Sequence, residues 1–256
     1  MSSILTFCNR LGAAVLRMLD SLGAVTLFML DGLRHIFTSP RIVPRTIQQL
    51  YVIGYKSLFV ILLIGIFCGM VLGLQGYYTL VQFGSVGMLG SAVSLSLIRE
   101  LGPVLTAIML AGRAGSSMAA EIGVMRISDQ IDALDVMDIN SMAYLVSPRL
   151  VASLLAFPLL TAIFDAIGII GGYLTGVLML HINEGAYLYR IASSVTMNDV
   201  VFGLLVATVC CHQGYTTHMR RDSVGPEAVG NATTSAVVIS CVLILVADYV
   251  LTCFLL

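Results

Sequence analysis

The chain has 256 residues, of which 58% are hydrophobic and only 11% are charged, and its formal net charge is −1. Typical soluble domains are about 45–50% apolar and about 25% charged, so most of this chain has to face lipid or other apolar helices. This composition excludes a disordered chain and a coiled coil. The small net charge also excludes a nucleic-acid binder, which needs a basic surface. We therefore predict an all-α integral membrane protein.

The first segment, residues 1–38, has its charges on one side of a predicted helix. These charges are Arg10, Arg17, Asp20, Asp31 and Arg34. At 100° per residue they fall within about 120° of one another. A charged stripe on an otherwise apolar helix is typical of a helix that lies along a membrane surface. We predict such an interfacial helix; the alternative is a soluble helix packed against another domain.

The membrane spans follow from uncharged runs. Residues 57–98 contain no charged residue, a run of 42. Because one span needs about 20 residues, this run holds one whole span and the start of a second. The second span continues past Gly102 and Pro103, where we expect a kink, and its end should project beyond the membrane. The predicted spans are 57–82, 88–120, 150–180, 200–214 and 230–256.

The distribution of cations predicts the orientation. With the N-terminus in the cytoplasm, 11 of the 13 lysines and arginines lie on the cytoplasmic side of the predicted spans. Arg190 lies on the opposite side and Arg99 lies within the membrane. Cytoplasmic loops of membrane proteins carry an excess of lysine and arginine. We therefore predict a cytoplasmic N-terminus and, after five spans, a C-terminus on the other side.

The sequence carries no motif for catalysis. A nucleotide-binding P-loop needs Gly-Lys-Ser/Thr, and the single lysine, Lys56, follows Tyr55. Energy from ATP would therefore have to come from a partner subunit. The six cysteines and four histidines have no metal-ligand spacing, and no nucleophile–base pair is apparent. We predict a chain that is not an enzyme and has no catalytic residue, metal or cofactor of its own.

Two spans carry glycines four residues apart. They are Gly65, Gly69 and Gly73 in the first span and Gly168, Gly172 and Gly176 in the third. Small residues at this spacing let membrane helices approach closely. The pattern fits packing within the chain, and equally a subunit interface or a lipid-lined groove.

Arg99 and Glu100 interrupt an otherwise apolar span. Ionisable residues at membrane depth are costly and usually pair or line a cavity. Neighbouring helical residues point about 100° apart, so these two do not simply neutralise each other. One alternative is a cavity that holds a lipid headgroup, and the other is a structural ion pair with a neighbouring helix. Asp165 and Asp248 fit either a structural role or the proton carrier of an ion-coupled secondary transporter.

A polar segment at residues 121–149 contains a second candidate site. Four aspartates follow at steps of three, at Asp129, Asp132, Asp135 and Asp138, and the apolar residues Ile131, Leu134 and Met137 alternate with them. We predict a short amphipathic helix in this segment, with Ser128 as its N-cap. Its acidic face suits a basic cleft on a partner; the alternative is a solvated surface helix.

Several segments resemble the MlaE/YrbE family of ABC-transporter permeases. They are LGLQGY (72–77), SLIRELGPVLTAIMLAGRAGSSMAAEIGVMRISDQIDALDVM (96–137), PRLVA (148–152), FPLLT (157–161) and ADYVLT (247–252). The resemblance covers nearly the whole chain from about residue 40. The family usually has Glu-Gln where this chain has Asp129-Gln130.

The resemblance implies a homodimer in the inner membrane of a Gram-negative bacterium, with a periplasmic C-terminus. Its implied partners are a cytoplasmic ABC ATPase that binds the ATP, a STAS-domain protein and a periplasmic hexameric ring of MCE-domain subunits. Such a complex moves phospholipids between the inner and outer membranes and maintains outer-membrane lipid asymmetry.

The resemblance also implies roles for particular residues. The helix at 126–138 matches the coupling helix that fits into the ATPase, with Arg126, Asp129, Gln130, Asp132 and Asp135 as candidate contacts. The first span and the Arg99–Glu100 region match the walls of a central lipid cavity. We expect Arg99 and Glu100 to hold the polar end of a phospholipid, and its tails to contact Leu72, Leu74 and Tyr78.

Overall fold

The computed structural model describes residues 2–37, 42–188, 197–219 and 225–255. These residues form helices, turns and short connections, with no strand among them. Four helices in this part of the chain are long and apolar enough to cross a membrane, and a fifth apolar helix is shorter. The predicted all-α integral membrane class is therefore confirmed.

The described helices are α1 Ser2–Arg34, α2 Ile42–Gln82, α3 Val86–Ile127, α4 Gln130–Val136, α5 Met142–Met179, α6 Glu184–Leu188, α7 Met197–Tyr215 and α8 Pro226–Leu255. Short 3₁₀ turns follow α1 at His35–Phe37 and α7 at Thr217–Met219. Four of the cations used to predict the orientation lie outside the described residues: Arg41, Arg190, Arg220 and Arg221.

Three of the helices are much longer than a membrane requires. At 1.5 Å per residue, the 41 residues of α2, the 42 residues of α3 and the 38 residues of α5 each extend about 60 Å. The hydrocarbon core of a bilayer is about 30 Å thick. Each helix is therefore long enough to reach well beyond the core, and the connections between helices lie at the two ends of the bundle.

A wide π turn at Leu97–Leu101 interrupts α3. Pro103 has no backbone N–H, and its ring crowds the carbonyl group four residues earlier, so a regular α-helical ladder cannot pass through it. The N–H of Gly102 donates instead to the carbonyl oxygen of Leu97, five residues back. The irregularity expected at Gly102–Pro103 therefore takes the form of a wide turn, and that turn contains Arg99 and Glu100.

The glycines of the first and third spans pack against each other. A Cβ atom at Gly69 would overlap the backbone carbonyl of Gly168, and one at Gly73 would lie 3.1 Å from the carbonyl oxygen of Gly172. Without side chains between them, α2 and α5 come into backbone contact along much of their length. Of the alternatives that the spacing left open, packing within the chain accounts for these glycines.

α1 presents two different surfaces. One side packs on the bundle: the Phe28 ring lies 5.2 Å from the His212 ring of α7, and the Ser147 hydroxyl donates to the Gly32 carbonyl oxygen. The other side exposes the leucines Leu16, Leu19, Leu27 and Leu30. Residues 1 and 38 and the side chains of Arg10 and Arg17 lie outside what the structure describes. The interfacial location of α1 remains a prediction, which the exposed leucines support.

Spin labels on adjacent residues of α1 can test this location. Leu19 is exposed among the outward leucines, and Asp20 is exposed on the charged stripe. In a bilayer we expect a label at Leu19 to be broadened by a lipid-soluble relaxant and a label at Asp20 by a water-soluble one, because an interfacial helix buries only its apolar face. Equal exposure of the two labels to the water-soluble relaxant would contradict the interfacial location.

Candidate functional site

Arg99 and Glu100 lie on the wide turn of α3, where Arg99 is half-buried and Glu100 is exposed. Neither belongs to an ion pair among the described residues. Glu100 instead has a like-charged neighbour, since its carboxylate interacts electrostatically with Asp248 of α8. The structural ion pair is therefore not found within the described chain, and two acidic side chains come together beside the wide turn.

The predicted tail contacts lie on α2, away from the glycine face. Leu72 is half-buried against the core, whereas Leu74 and Tyr78 are exposed, Tyr78 by 62%. The wide turn begins level with Gly69, because both Leu97 and Gly69 lie against Gly168. Tyr78 is nine residues further along α2, which corresponds to about 13 Å. The five predicted residues thus occupy two helices at different depths.

Asp165 of α5 lies directly behind the wide turn. Its carboxylate contacts Gly102, where a Cβ atom would overlap Oδ1. It also interacts electrostatically with Asp199 at the start of α7, and both aspartates are buried. Asp165 therefore faces the interior of the bundle and packs against the turn that carries Arg99. Sequence reasoning did not group Asp199 with these residues, because Asp199 lies in a polar connection between predicted spans.

An apolar groove of about 380 Å³ lies on another side of the bundle. It is lined by α2 between Ile47 and Leu58 and by α5 between Ala156 and Ile163. The stacked rings of Tyr51 and Tyr55, 5.1 Å apart, belong to its lining. The groove does not include Arg99 or Glu100, so it is separate from the predicted lipid site.

The second candidate site is α4, which begins differently from the prediction. α3 continues to Ile127, and Ser128 ends it by donating its hydroxyl hydrogen to the Val124 carbonyl oxygen at 2.7 Å. Asp129 occupies the N-cap of α4 in a left-handed conformation, with φ of 55° and no side-chain capping bond. The predicted cap at Ser128 is therefore wrong, and so is a single helix over 126–138. The chain turns sharply because aspartate tolerates the left-handed region.

α4 presents acidic and apolar side chains outward together. Ile131 is fully buried and Asp132 is held by Arg126, while Asp129, Gln130 and Asp135 are exposed. Val136 is 87% exposed and Met137 is 60% exposed. Met137, which shares the spacing of Ile131 and Leu134, is exposed because the helix ends at Val136 and the chain reverses there. α4 therefore ends in an apolar tip, formed by Val136 and Met137, which is exposed near the exposed carboxylates of Asp129 and Asp135.

Arg126 joins three elements at this end of the bundle. Its Nη1 donates to Asp132 Oδ1 at 2.6 Å, and its Nε donates to His218 Nδ1 at 2.9 Å. Its guanidinium carbon lies 5.3 Å from the centre of the Tyr215 ring. The sequence pointed to Arg126 and Asp132 but missed His218, because a contact between residues 92 positions apart leaves no local pattern.

An ion pair between a buried arginine and a half-exposed glutamate fixes α3 to α5 nearby. Arg149 is 5% exposed, and its Nη2 donates to Glu121 Oε2 at 3.0 Å. Its Nη1 donates to the Leu145 carbonyl oxygen at 2.8 Å. Removing Glu121 would leave the buried guanidinium of Arg149 without its charged partner, which is destabilising. Arg149 therefore holds the end of α3 that leads into α4.

The family model described as Permease MlaE matches residues 46–254 of the chain. The chain belongs to the MlaE permease family. That match includes both candidate sites of this MlaE-family permease, the wide turn of α3 and the exposed helix α4. It also confirms the family that the sequence motifs indicated.

Named relatives agree with this assignment. A probable ABC transporter permease protein of Rickettsia bellii is 39% identical over 257 residues, which cover 97% of each chain. The intermembrane phospholipid transport system permease protein MlaE of Haemophilus influenzae is 38% identical over 218 residues, 82% of each chain. The chloroplastic protein TRIGALACTOSYLDIACYLGLYCEROL 1 of Arabidopsis thaliana is 37% identical over 218 residues, 82% of this chain and 61% of the relative.

Proposed function

We propose that this permease moves phospholipids between the inner and outer membranes of a Gram-negative bacterium and maintains outer-membrane lipid asymmetry. The observation that carries the proposal is the similarity to the Haemophilus influenzae protein, whose name states intermembrane phospholipid transport and which matches 82% of this chain. The polar wide turn inside an apolar helix supports it, because a lipid has both a charged end and apolar tails.

The energy comes from a cytoplasmic ABC ATPase that docks on α4. Two features of the chain support this partner. The sequence has no P-loop, and α4 combines an exposed apolar tip at Val136 with the exposed carboxylate of Asp135. Apolar anchors surrounded by complementary charge are typical of protein interfaces. Docking of the ATPase on α4 requires that α4 lies on the cytoplasmic side of the membrane. The orientation predicted from the excess of lysine and arginine also places α4 on that side.

The remaining partners follow from the family resemblance. The permease acts as a homodimer in the inner membrane, with a STAS-domain protein on the cytoplasmic side and an MCE-domain hexamer on the periplasmic side. The outward faces of α2 and α8 are consistent with lipid and helix contacts, since both expose large apolar side chains such as Phe67 and Val242. The N-terminus is cytoplasmic and the C-terminus periplasmic in this arrangement.

Within the dimer, Arg99 binds the lipid phosphate and Glu100 lies beside the headgroup. A guanidinium donates two parallel hydrogen bonds to a phosphate, and a partly dry site strengthens them. Leu72, Leu74 and Tyr78 contact the tails, and Tyr78 lies about 13 Å along α2 from the level of the wide turn, apart from the headgroup. Half-burial of Arg99 without an ion pair in the described chain supports this role.

The test is the amount of phospholipid that co-purifies with each dimer. Arg99→Ala removes the phosphate ligand, and a lost hydrogen bond to a charged group costs about 1.5–3 kcal/mol, so we expect about 10- to 100-fold weaker retention of lipid. Arg99→Lys keeps the positive charge but lacks the two parallel N–H donors of a guanidinium. Its lipid retention should therefore fall between those of wild type and Arg99→Ala.

Arg113→Ala is the matched control for Arg99→Ala. It removes a guanidinium from the same helix, where Arg113 donates to the Ser57 hydroxyl at 2.9 Å. It should leave lipid retention unchanged. Unchanged lipid in Arg99→Ala together with a lower unfolding temperature would assign Arg99 a structural role and remove the proposed site.

The same complex in vesicles separates an ATP-driven permease from an ion-coupled transporter. Lipid transfer should require ATP and the ATPase subunit. Transfer by the permease alone, driven by a proton gradient and lost in Asp165→Asn or Asp248→Asn, would contradict the proposed function and favour the ion-coupled alternative.

A further inference from the structure

α4 has few contacts that fix its position on the bundle. Ile131 is its one buried residue, and Leu134 is half-buried against the hydrophobic core. The polar side-chain contact that ties α4 to α3 is the ion pair of Asp132 with Arg126, at 2.6 Å. Because Asp132 is more than half exposed, water competes for that pair. The orientation of the Arg126 side chain therefore has a large influence on where α4 lies.

His218 fixes the Arg126 side chain from the opposite side. Arginine has several rotatable bonds, and holding it in one conformation costs rotamer entropy. The acceptor at His218 Nδ1, 2.9 Å from Arg126 Nε, and the ring of Tyr215 select the conformation in which Nη1 reaches Asp132. Arg126 is only 16% exposed as a result.

The turn that carries His218 is itself anchored. Thr217 is buried, and its hydroxyl donates to the Gly214 carbonyl oxygen at 2.7 Å. A Cβ atom at Gly123 of α3 would lie 3.2 Å from the Thr217 hydroxyl oxygen, so the turn sits closely against α3. His218 thus extends from a fixed point at the end of α7 to Arg126 at the end of α3.

We propose that His218 is a positioning residue that acts through Arg126 to hold α4, so that a displacement of α4 passes to α7 as well as to α3. α7 packs against α5 and α8, so this connection would spread the motion of one short helix over the bundle. The inference rests on the proposed function for the identity of the partner that displaces α4. The proposed role of His218 requires a hydrogen-bond acceptor at residue 218, at or near the position of the His218 Nδ1 atom.

Three variants separate the acceptor from the shape of the ring. His218→Phe keeps a ring without an acceptor, whereas His218→Asn offers an amide oxygen near the place of Nδ1. Met219→Leu is the matched control, since Met219 is exposed on the same turn. The unfolding temperature of each assembled complex identifies any variant that only loses stability.

The first measurement is the number of lipids transferred per ATP hydrolysed in reconstituted vesicles. We expect His218→Phe to keep the rate of hydrolysis and to lower this ratio about threefold, as for the loss of one modest hydrogen bond. His218→Asn should recover most of the ratio, and Met219→Leu should match wild type. A merely structural role would change the unfolding temperature or both rates together.

The second measurement is amide hydrogen exchange of α4 in the same complex, which reports local opening without any transport. Exchange should be faster in His218→Phe than in His218→Asn or wild type. Unchanged exchange in His218→Phe overturns the proposal, and so does a failure of His218→Asn to restore it. If the wild-type complex transfers no lipid with ATP, the proposed function fails, and hydrogen exchange alone decides whether His218 positions α4.

Discussion

Reversing the charge of Asp135 is expected to weaken binding of the ATPase about 10- to 100-fold, because the change replaces an attraction by a repulsion at the interface. Asp135 is the acidic residue of α4 that suits this test, since it is exposed and Asp132 is already paired with Arg126. Asp135→Asn should have a smaller effect, because it removes an attraction without adding a repulsion. The measurement is the affinity of purified ATPase for the permease in nanodiscs.

A control separates the local charge from the net charge. Glu227→Lys makes the same change in net charge at an exposed position in the first turn of α8. It should change the affinity much less than Asp135→Lys. The difference between the two variants should shrink at high salt, because salt screens exposed charges over about 10 Å at 0.1 M. Equal losses in both variants would show that α4 is not the docking site.

The fold class was predictable because hydrophobic residues predominate along the whole sequence. An uncharged run of 42 residues leaves no alternative to membrane helices. The wide turn was predictable only in part, since Pro103 marks an irregularity but does not reveal that Gly102 bonds to Leu97. This change of acceptor for one backbone hydrogen bond has no effect on the hydropathy of the sequence. It nevertheless changes the directions in which the side chains of Arg99 and Glu100 point.

The candidate sites were predictable where a local pattern exists. A charged pair inside an apolar span identified Arg99 and Glu100, and the aspartates at steps of three identified α4. The pattern failed at Ser128, where a left-handed Asp129 separates two helices. Contacts between distant segments, such as Arg126 with His218, depend on how helices pack and left no sign in the sequence.

The largest expected effect on stability is that of Gly69→Ala. The Cβ atom would overlap the backbone carbonyl of Gly168, and a backbone atom cannot rotate away as a side chain can. α2 and α5 would have to separate, so we expect a loss at or above the usual range of about 1–3 kcal/mol for overpacking. Thermal unfolding of the purified permease in one detergent measures this loss.

The same substitution at other glycines of α2 gives a graded series. At Gly65 the nearest atom to an added Cβ is the Phe164 carbonyl oxygen at 3.1 Å, so Gly65→Ala should have an intermediate effect. At Gly54 nothing lies within 4 Å, and replacing glycine by alanine in a helix gains about 0.5–1 kcal/mol, so Gly54→Ala should be neutral or stabilising. This order follows from the contact between α2 and α5 alone. If Gly69→Ala unfolds at the same temperature as Gly54→Ala, the two helices do not pack through their glycines, and that face of α2 would be available to a second subunit or to lipid.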